Sequence, residues 1–307
     1  MIRVRFHGRG GQGMKTASRI VGTAAFLAGF VARDSPVYGA ERRGAPMAAF
    51  TRIGKEPIFE RGVIATPDLV VVADDTLLED PVAKPLAGLQ PAGALVVATA
   101  HSTDDVRYHT GHCGPIVAGD FLALALEDVG SVAGVSTALA SAVCALLGLS
   151  RGATAEGLRA ELTAIGVDPA TMSANLRLAE RARVGIGPIL LPAPAVPWRR
   201  TGSRVVDLTY EAPEIGTPTV TAEPNTPLRR TGSWRVFRPV IEPDKCTQCW
   251  VCFVWCPEGA IELDAEDNPH VDYGVCKGCL ICVEECPTRA IAKVREVHEW
   301  MHPEVTV

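Results

Sequence analysis

The sequence predicts an α/β domain with a mostly parallel sheet over residues 1–187, an extended connector over 188–235 and a small α+β domain over 236–307. Three observations predict it. Strand-like and helix-like segments alternate through the first part of the chain. Prolines crowd the middle, at Pro188, Pro192, Pro194, Pro197, Pro213, Pro218, Pro224 and Pro227. Eight of the ten cysteines lie between Cys246 and Cys286.

In the first domain Arg3–His7 reads as a short strand, and Met14–Gly29 carries Ala, Ile, Val and Leu at helical spacing. Ala49–Ile53, Asp68–Ala73 and Ala94–Ala98 read as strands. The second contains the unbroken run Leu69-Val70-Val71-Val72, the pattern of a strand covered on both faces. Helices are predicted over about 119–127, 132–148, 154–165 and 169–183. Such alternation implies a mostly parallel sheet with helices on either side. In the connector, proline fixes φ and removes backbone donors, so an extended segment is expected, with Trp198 and Trp234 as packing anchors near its ends.

At 307 residues with 47% hydrophobic and 21% charged side chains, the chain can bury a core in each of two domains. A net charge of −5 argues against nucleic acid as a partner. The N-terminus Met1–His7 has no apolar h-region of a signal peptide. Val129–Ser150 is uncharged and long enough to span a bilayer, but it is interrupted by Gly130, Gly134 and Gly148 and lacks basic anchors. A buried helix and no membrane span are expected there.

The cysteines form an internal repeat. Cys246-x-x-Cys249-x-x-Cys252-x-x-x-Cys256-Pro257 recurs 30 residues on as Cys276-x-x-Cys279-x-x-Cys282-x-x-x-Cys286-Pro287, and each copy continues with Ala-Ile. Three cysteines two residues apart can wrap one [4Fe–4S] cluster, and the fourth ligand must come from farther away. In two-cluster ferredoxins the fourth cysteine of each run serves the other cluster. The predicted ligand sets are therefore Cys246, Cys249, Cys252 and Cys286 for one cluster, and Cys276, Cys279, Cys282 and Cys256 for its twin. One tetrahedral zinc site or a disulfide framework fits two such runs poorly. Glu258, Glu262, Asp264, Glu284 and Glu285 near the motifs predict low reduction potentials. Trp250, Phe253, Trp255 and Leu280 are expected to shield the clusters.

Near the N-terminus, Gly8-Arg9-Gly10-Gly11-Gln12-Gly13 fits GxGxxG between a strand and a helix. Three readings stay open: a tight structural turn, a phosphate site at a helix N-terminus, and a nicotinamide dinucleotide site for which Asp34 would be the ribose-binding acid. Arg42 and Arg43, between Gly39 and Gly44, are either a solvated loop or a pair that meets a phosphate or an acidic partner. His109, His112 and Cys113 lie close in sequence but make a poor metal set, and Cys144 reads as core.

Phe6–Gly13 together with Tyr38–Pro46 resembles the gamma subunit of 2-oxoacid:ferredoxin oxidoreductases, a family that includes pyruvate synthase. Thr231-Gly232-Ser233-Trp234-Arg235-Val236-Phe237-Arg238-Pro239-Val240, with the eight cysteines after it, resembles the delta subunit of the same enzymes. The resemblance implies a gamma–delta fusion with a Rossmann-like first domain and a bacterial-type ferredoxin second domain. It implies an electron-transfer role in the oxidative decarboxylation of a 2-oxoacid. Thiamine diphosphate and magnesium would sit on alpha- and beta-type partner subunits, and ferredoxin or a similar protein would accept the electrons. Gly8, Arg9, Gly10, Gly11, Gln12, Gly13, Arg42 and Arg43 would be the positions that meet coenzyme A phosphates, where coenzyme A is used; members acting on oxalate do without it. A hetero-oligomer with a higher-order dimer, no activity of the chain alone and a reducing, anaerobic cytoplasm are expected. The alternatives are a stand-alone NAD(P)H-linked iron–sulfur oxidoreductase and a non-catalytic redox carrier.

Overall fold

The computed structural model describes residues 1–36, 44–189 and 230–296. Of these, residues 1–189 belong to one compact unit and 230–294 to a second.

The first unit is built on a six-stranded sheet. Its strands are β1 (Ile2–Arg9), β2 (Val31–Pro36), β3 (Pro46–Gly54), β4 (Leu69–Val72), β5 (Ala94–Ala98) and β6 (Ile116–Gly119), in the order β2-β3-β1-β4-β5-β6. The pairs β1/β4, β4/β5 and β5/β6 are parallel, whereas β3 is antiparallel to both β1 and β2. The helices are α1 (Met14–Leu27), α2 (Thr103–Thr110), α3 (Phe121–Val129), α4 (Val135–Leu146), α5 (Arg151–Ala164) and α6 (Pro169–Ala182).

The run Leu69–Val72 shows why both faces are covered. Leu69 and Val71 join the main core with α1 and α4, while Val70 and Val72 join a smaller core with Leu77, Leu95, Val97 and Val106. A period of two splits one apolar run between two cores. Strand β1 splits differently. Val4 and Phe6 enter the main core, and the alternate residues Arg3, Arg5, His7 and Arg9 are also buried. Burying cations requires partners. Arg3 and Arg52 share Glu60 at 3.1 and 3.2 Å, and Arg9 meets Asp74 at 3.2 Å. Arg5 donates to the carbonyls of Ile64 (2.9 Å), Pro85 (2.8 Å) and Ala87.

The uncharged stretch from Val129 folds into the end of α3, a short turn and α4, every residue of which is buried. Two of its buried hydroxyls are satisfied on α6: Thr137 donates to Asn175 Oδ1 at 2.7 Å and Ser141 to the Ala179 carbonyl at 2.6 Å. No helix among the described residues is long and apolar enough to cross a membrane.

The second unit contains β7 (Phe237–Ile241), α7 (Val251–Val254), β8 (Ile261–Leu263), β9 (Pro269–Val271), α8 (Ile281–Glu284) and β10 (Ile291–Arg295). Strand β7 pairs with β10, and β8 pairs antiparallel with β9. Residues 230–235, assigned from the sequence to the connector, pack into this unit. Thr231 Oγ1 donates to the Val275 carbonyl at 2.6 Å, and Arg235 donates to the carbonyls of Tyr273 and Cys276 at 2.6 and 2.8 Å. Connector residues 190–229, Trp198 among them, lie outside the described residues.

Candidate iron–sulfur site and glycine loop

The repeat in sequence is a repeat in backbone. Gln248 and Trp250 in the first cysteine run have φ of 52° and 56°, and Gly278 and Leu280 in the second have 65° and 64°. The left-handed region disfavours residues with a Cβ, Trp and Leu among them. Both runs adopt it twice because the chain must curl tightly to face three thiols inward. The end of each run repeats as well. Ala260 N–H points at Cys256 Sγ and Ala290 N–H at Cys286 Sγ, each at 3.2 Å.

Two cavities result. One is lined by Cys246, Cys249, Cys252 and Cys286. The other is lined by Cys256, Cys276, Cys279 and Cys282. Each holds three cysteines of one run and the distal cysteine of the other, between walls that are mostly apolar. That donor set fits a [4Fe–4S] cluster, which takes thiolates at separate iron corners. Among the described residues no three His, Cys, Asp or Glu side chains converge closely enough for a single ion. Cubane ligands are spread more widely than that. Burial, then the neighbouring Cys279, Cys276, Cys256 and Cys252, push the Cys282 thiol up to about 12. Burial likewise raises Cys252 and Cys276. Iron loading must therefore displace protons. Trp250 lines the first cavity and Leu280 the second. Phe253 and Trp255 line neither and are 45% and 59% exposed.

The glycine loop joins β1 to α1. Gly8 faces Met14 and Gln12, leaving no space for a Cβ, and Gly13 (φ 72°) lies against Ser136, where a Cβ would come within 2.9 Å. Gln12 Oε1 accepts from Arg9 N–H at 2.7 Å, Gly10 N–H donates to the Ala45 carbonyl at 2.8 Å, and Gln12 Nε2 donates to Asp74 at 3.2 Å. The Arg9 guanidinium is 1% exposed as a residue and bonds Asp74, Thr76 and the Gly44 carbonyl. Arg9 and Gln12 thus tie the loop to its surroundings, and Gly11 (φ 99°) forms its exposed tip. Arg42 and Arg43 lie outside the described residues. Asp34 does not occupy a dinucleotide-type position. Its strand β2 pairs only with β3 at the sheet edge, with β3 between it and β1. The ribose acid of that fingerprint belongs on the neighbouring strand. His112 is engaged with the Gly93 carbonyl at 2.9 Å and His109 with Glu79 at 3.3 Å, so they form no site with the exposed Cys113. Cys144 is buried, and that burial pushes its thiol up to about 12.

An α/β unit joined to a two-cavity cysteine module defines an iron–sulfur protein of the dicluster class. Residues 238–287 match the family model of the 4Fe-4S dicluster domain. Residues 3–184, more than half of the chain, match that of pyruvate ferredoxin/flavodoxin oxidoreductase, and the chain belongs to that family. It is 44% identical over 128 residues to pyruvate synthase subunit PorC of Thermotoga maritima, a match covering 42% of this chain and 65% of that one. The chain thus spans slightly less than two thirds of that relative. It is 41% identical over 150 residues to the pyruvate/ketoisovalerate oxidoreductases common subunit gamma of Thermococcus kodakarensis, covering 48% of this chain and 80% of the relative. The crystal structure of pyruvate oxidoreductase subunit PORC from Thermotoga maritima superimposes with a TM-score of 0.50 at 33% identity, covering 59% of this chain and 94% of that one.

Proposed function

We propose that this chain is a fused gamma–delta-type electron-transfer subunit of a thiamine-diphosphate-dependent 2-oxoacid:ferredoxin oxidoreductase. Its second unit carries electrons from the oxidative decarboxylation through two [4Fe–4S] clusters to ferredoxin or a similar acceptor. The observation that carries this reading is the pair of four-cysteine cavities, each composed of three cysteines of one run and one of the other. They stand on a chain whose residues 3–184 carry the oxidoreductase family match. Cys246, Cys249, Cys252 and Cys286 hold one cluster, and Cys256, Cys276, Cys279 and Cys282 the other. The clusters supply one-electron storage; the chain's residues hold them close together, exclude water with apolar walls and donate N–H to sulfur.

The catalytic cofactor, thiamine diphosphate with magnesium, belongs on alpha- and beta-type partner subunits in this reading, so the chain is inactive alone. The first unit closes over the partners' active site. Where the acyl group passes to coenzyme A, the exposed tip at Gly11 and the arginines Arg42 and Arg43 meet its phosphates. Arg9 and Gln12 act there by shaping the loop. The setting is a reducing cytoplasm. An anaerobic affinity pull-down of the tagged chain tests the proposal, with iron, sulfide and thiamine diphosphate quantified. Larger partners carrying thiamine diphosphate, with about eight irons per chain, support it. An iron–sulfur protein that isolates without partners or thiamine diphosphate defeats it in favour of a free redox carrier.

A further inference from the structure

The two cavities share one backbone but not one charge distribution. Thr247 and Thr288 line the cavity of Cys246, Cys249, Cys252 and Cys286, which has no charged residue in its wall. At the positions 30 residues away in the repeat, Lys277 and Glu258 line the other cavity. They pair at 2.6 Å, and Lys277 also lies 5.4 Å from the centre of the Trp234 ring. Arg235 adds a second cation on that side. It is 7% exposed, its Nη1 is 2.8 Å from the carbonyl of the ligand Cys276, and its guanidinium stacks on Tyr273 at 5.1 Å. The distal ligands differ in the opposite sense. Cys286, of the uncharged cavity, follows the exposed Glu285, whereas its counterpart Cys256 follows Trp255.

Reduction adds one negative charge to a cluster, so nearby positive charge favours the reduced form and raises the potential, while negative charge lowers it. Glu258 offsets part of the Lys277 field. A guanidinium is a permanent cation, and the burial of Arg235 limits screening by water. Resting on the cluster reading above, we propose that Arg235 and Lys277 set the Cys256/Cys276/Cys279/Cys282 site at a higher reduction potential than its twin, giving the relay a direction. An electron entering the module then settles at this site before it leaves. One electron departs the first site and one arrives at the second, with no bond made or broken. The surplus of acidic residues lowers both potentials in common; the two cations separate them.

An anaerobic redox titration of the full chain, followed by electron paramagnetic resonance, tests this. Two distinct midpoints are expected. Lys277→Gln lowers the upper one alone, by up to about a tenfold change in the one-electron equilibrium, ~59 mV. Arg235→Gln does the same and Arg235→Lys restores it, which separates charge from bracing of the Cys276 loop. Thr247→Lys, the converse change, raises the lower midpoint and narrows the gap. Coincident midpoints in the unmodified chain, or a Lys277→Gln variant that leaves the upper midpoint in place, overturn the proposal. A chain that binds about eight irons with coincident midpoints leaves the cluster reading standing, and a chain that binds no cluster removes both.

Discussion

Cys256 is the residue on which the crossed arrangement turns. It sits four residues after Cys252 in sequence but lines the cavity of Cys276, Cys279 and Cys282. Cys256→Ala is expected to halve the iron content, from about eight to about four per chain, and to spare the cluster of Cys246, Cys249 and Cys252. Iron analysis with paramagnetic resonance of the remaining cluster decides it, and loss of the Cys246 site instead would refute the crossed ligation. His7 makes a second prediction. Burial, then the Arg5 charge, lower its pKa from 6.5 to about 3, and its Nε2 has no hydrogen-bond partner. Between those values the unfolded chain holds a proton that the folded chain refuses. Its contribution to stability is complete above about pH 6.5 and falls as pH drops towards 3, at up to about 1.4 kcal/mol per pH unit. His7→Gln should flatten the loss of thermal stability between about pH 6.5 and 5. Burial opposes ionisation of Glu60, but Arg3 and Arg52 bonds hold its pKa below the usual value, so it titrates beneath that window. An unchanged slope in the variant would refute the buried neutral imidazole. The grouping of the cysteines was legible in the sequence because their spacing repeats, and the two cavities collect the sets that spacing predicts. Arg235 and His7 were not, because nothing adjacent to an arginine or histidine announces that distant carbonyls or a sheet face will enclose it.

The elements that the sequence reveals are those with an unambiguous period or an unbroken apolar run, such as β4, β5 and α1. Those it hides are short or half-exposed. Strand β6 has four residues, all of intermediate burial, and α2 buries only Val106 among eight. Strand β2, Val-Ala-Arg-Asp-Ser-Pro, is polar because it stands at the sheet edge. Missing it conceals the antiparallel β2–β3 flank and therefore the distance between Asp34 and the glycine loop. Helix contacts are equally hidden in a linear reading. Gly157 on α5 crosses α1 so closely that a Cβ would stand 2.9 Å from Ala24 N and 3.1 Å from Ala24 Cα. Intrinsic propensity would favour Gly157→Ala by about 1 kcal/mol. The contact is with backbone, which cannot rotate aside, and overpacking typically costs about 1–3 kcal/mol. The clash should prevail, with Gly157→Ala lowering the melting temperature and Gly157→Val lowering it further. A stabilised Ala variant would show that α1 and α5 can separate at little cost.

Across the whole molecule the two units owe their order to different sources. The first has a continuous core of β1, β3, β4 and β5 side chains against α1, α4, α5 and α6. The second has two small clusters, Cys252, Ile261, Cys282 and Ile291 in one and Ala260, Val275 and Cys276 in the other. Three of those seven buried side chains are the proposed cluster ligands, and beside them stand only two isoleucines, a valine and an alanine, with Ala290 buried nearby in sequence. A unit of this size is marginal even with a full apolar core. The left-handed conformations of Trp250 and Leu280 add strain, which a cluster filling the cavity would help to hold. Iron binding and folding of this unit should therefore be one transition. Anaerobic chelation is expected to abolish amide protection over Val251–Val254 and Ile281–Glu284 while α1 and α4 of the first unit keep theirs, as read by hydrogen exchange on the full chain. Calorimetry should show one cooperative transition retained near its original temperature and the other lost. Protection of both short helices persisting after the iron is removed would mean that the β7/β10 pair, the β8/β9 hairpin and the Thr231–Arg235 bracing suffice. The cavities would then be preformed receptors rather than products of the clusters they hold.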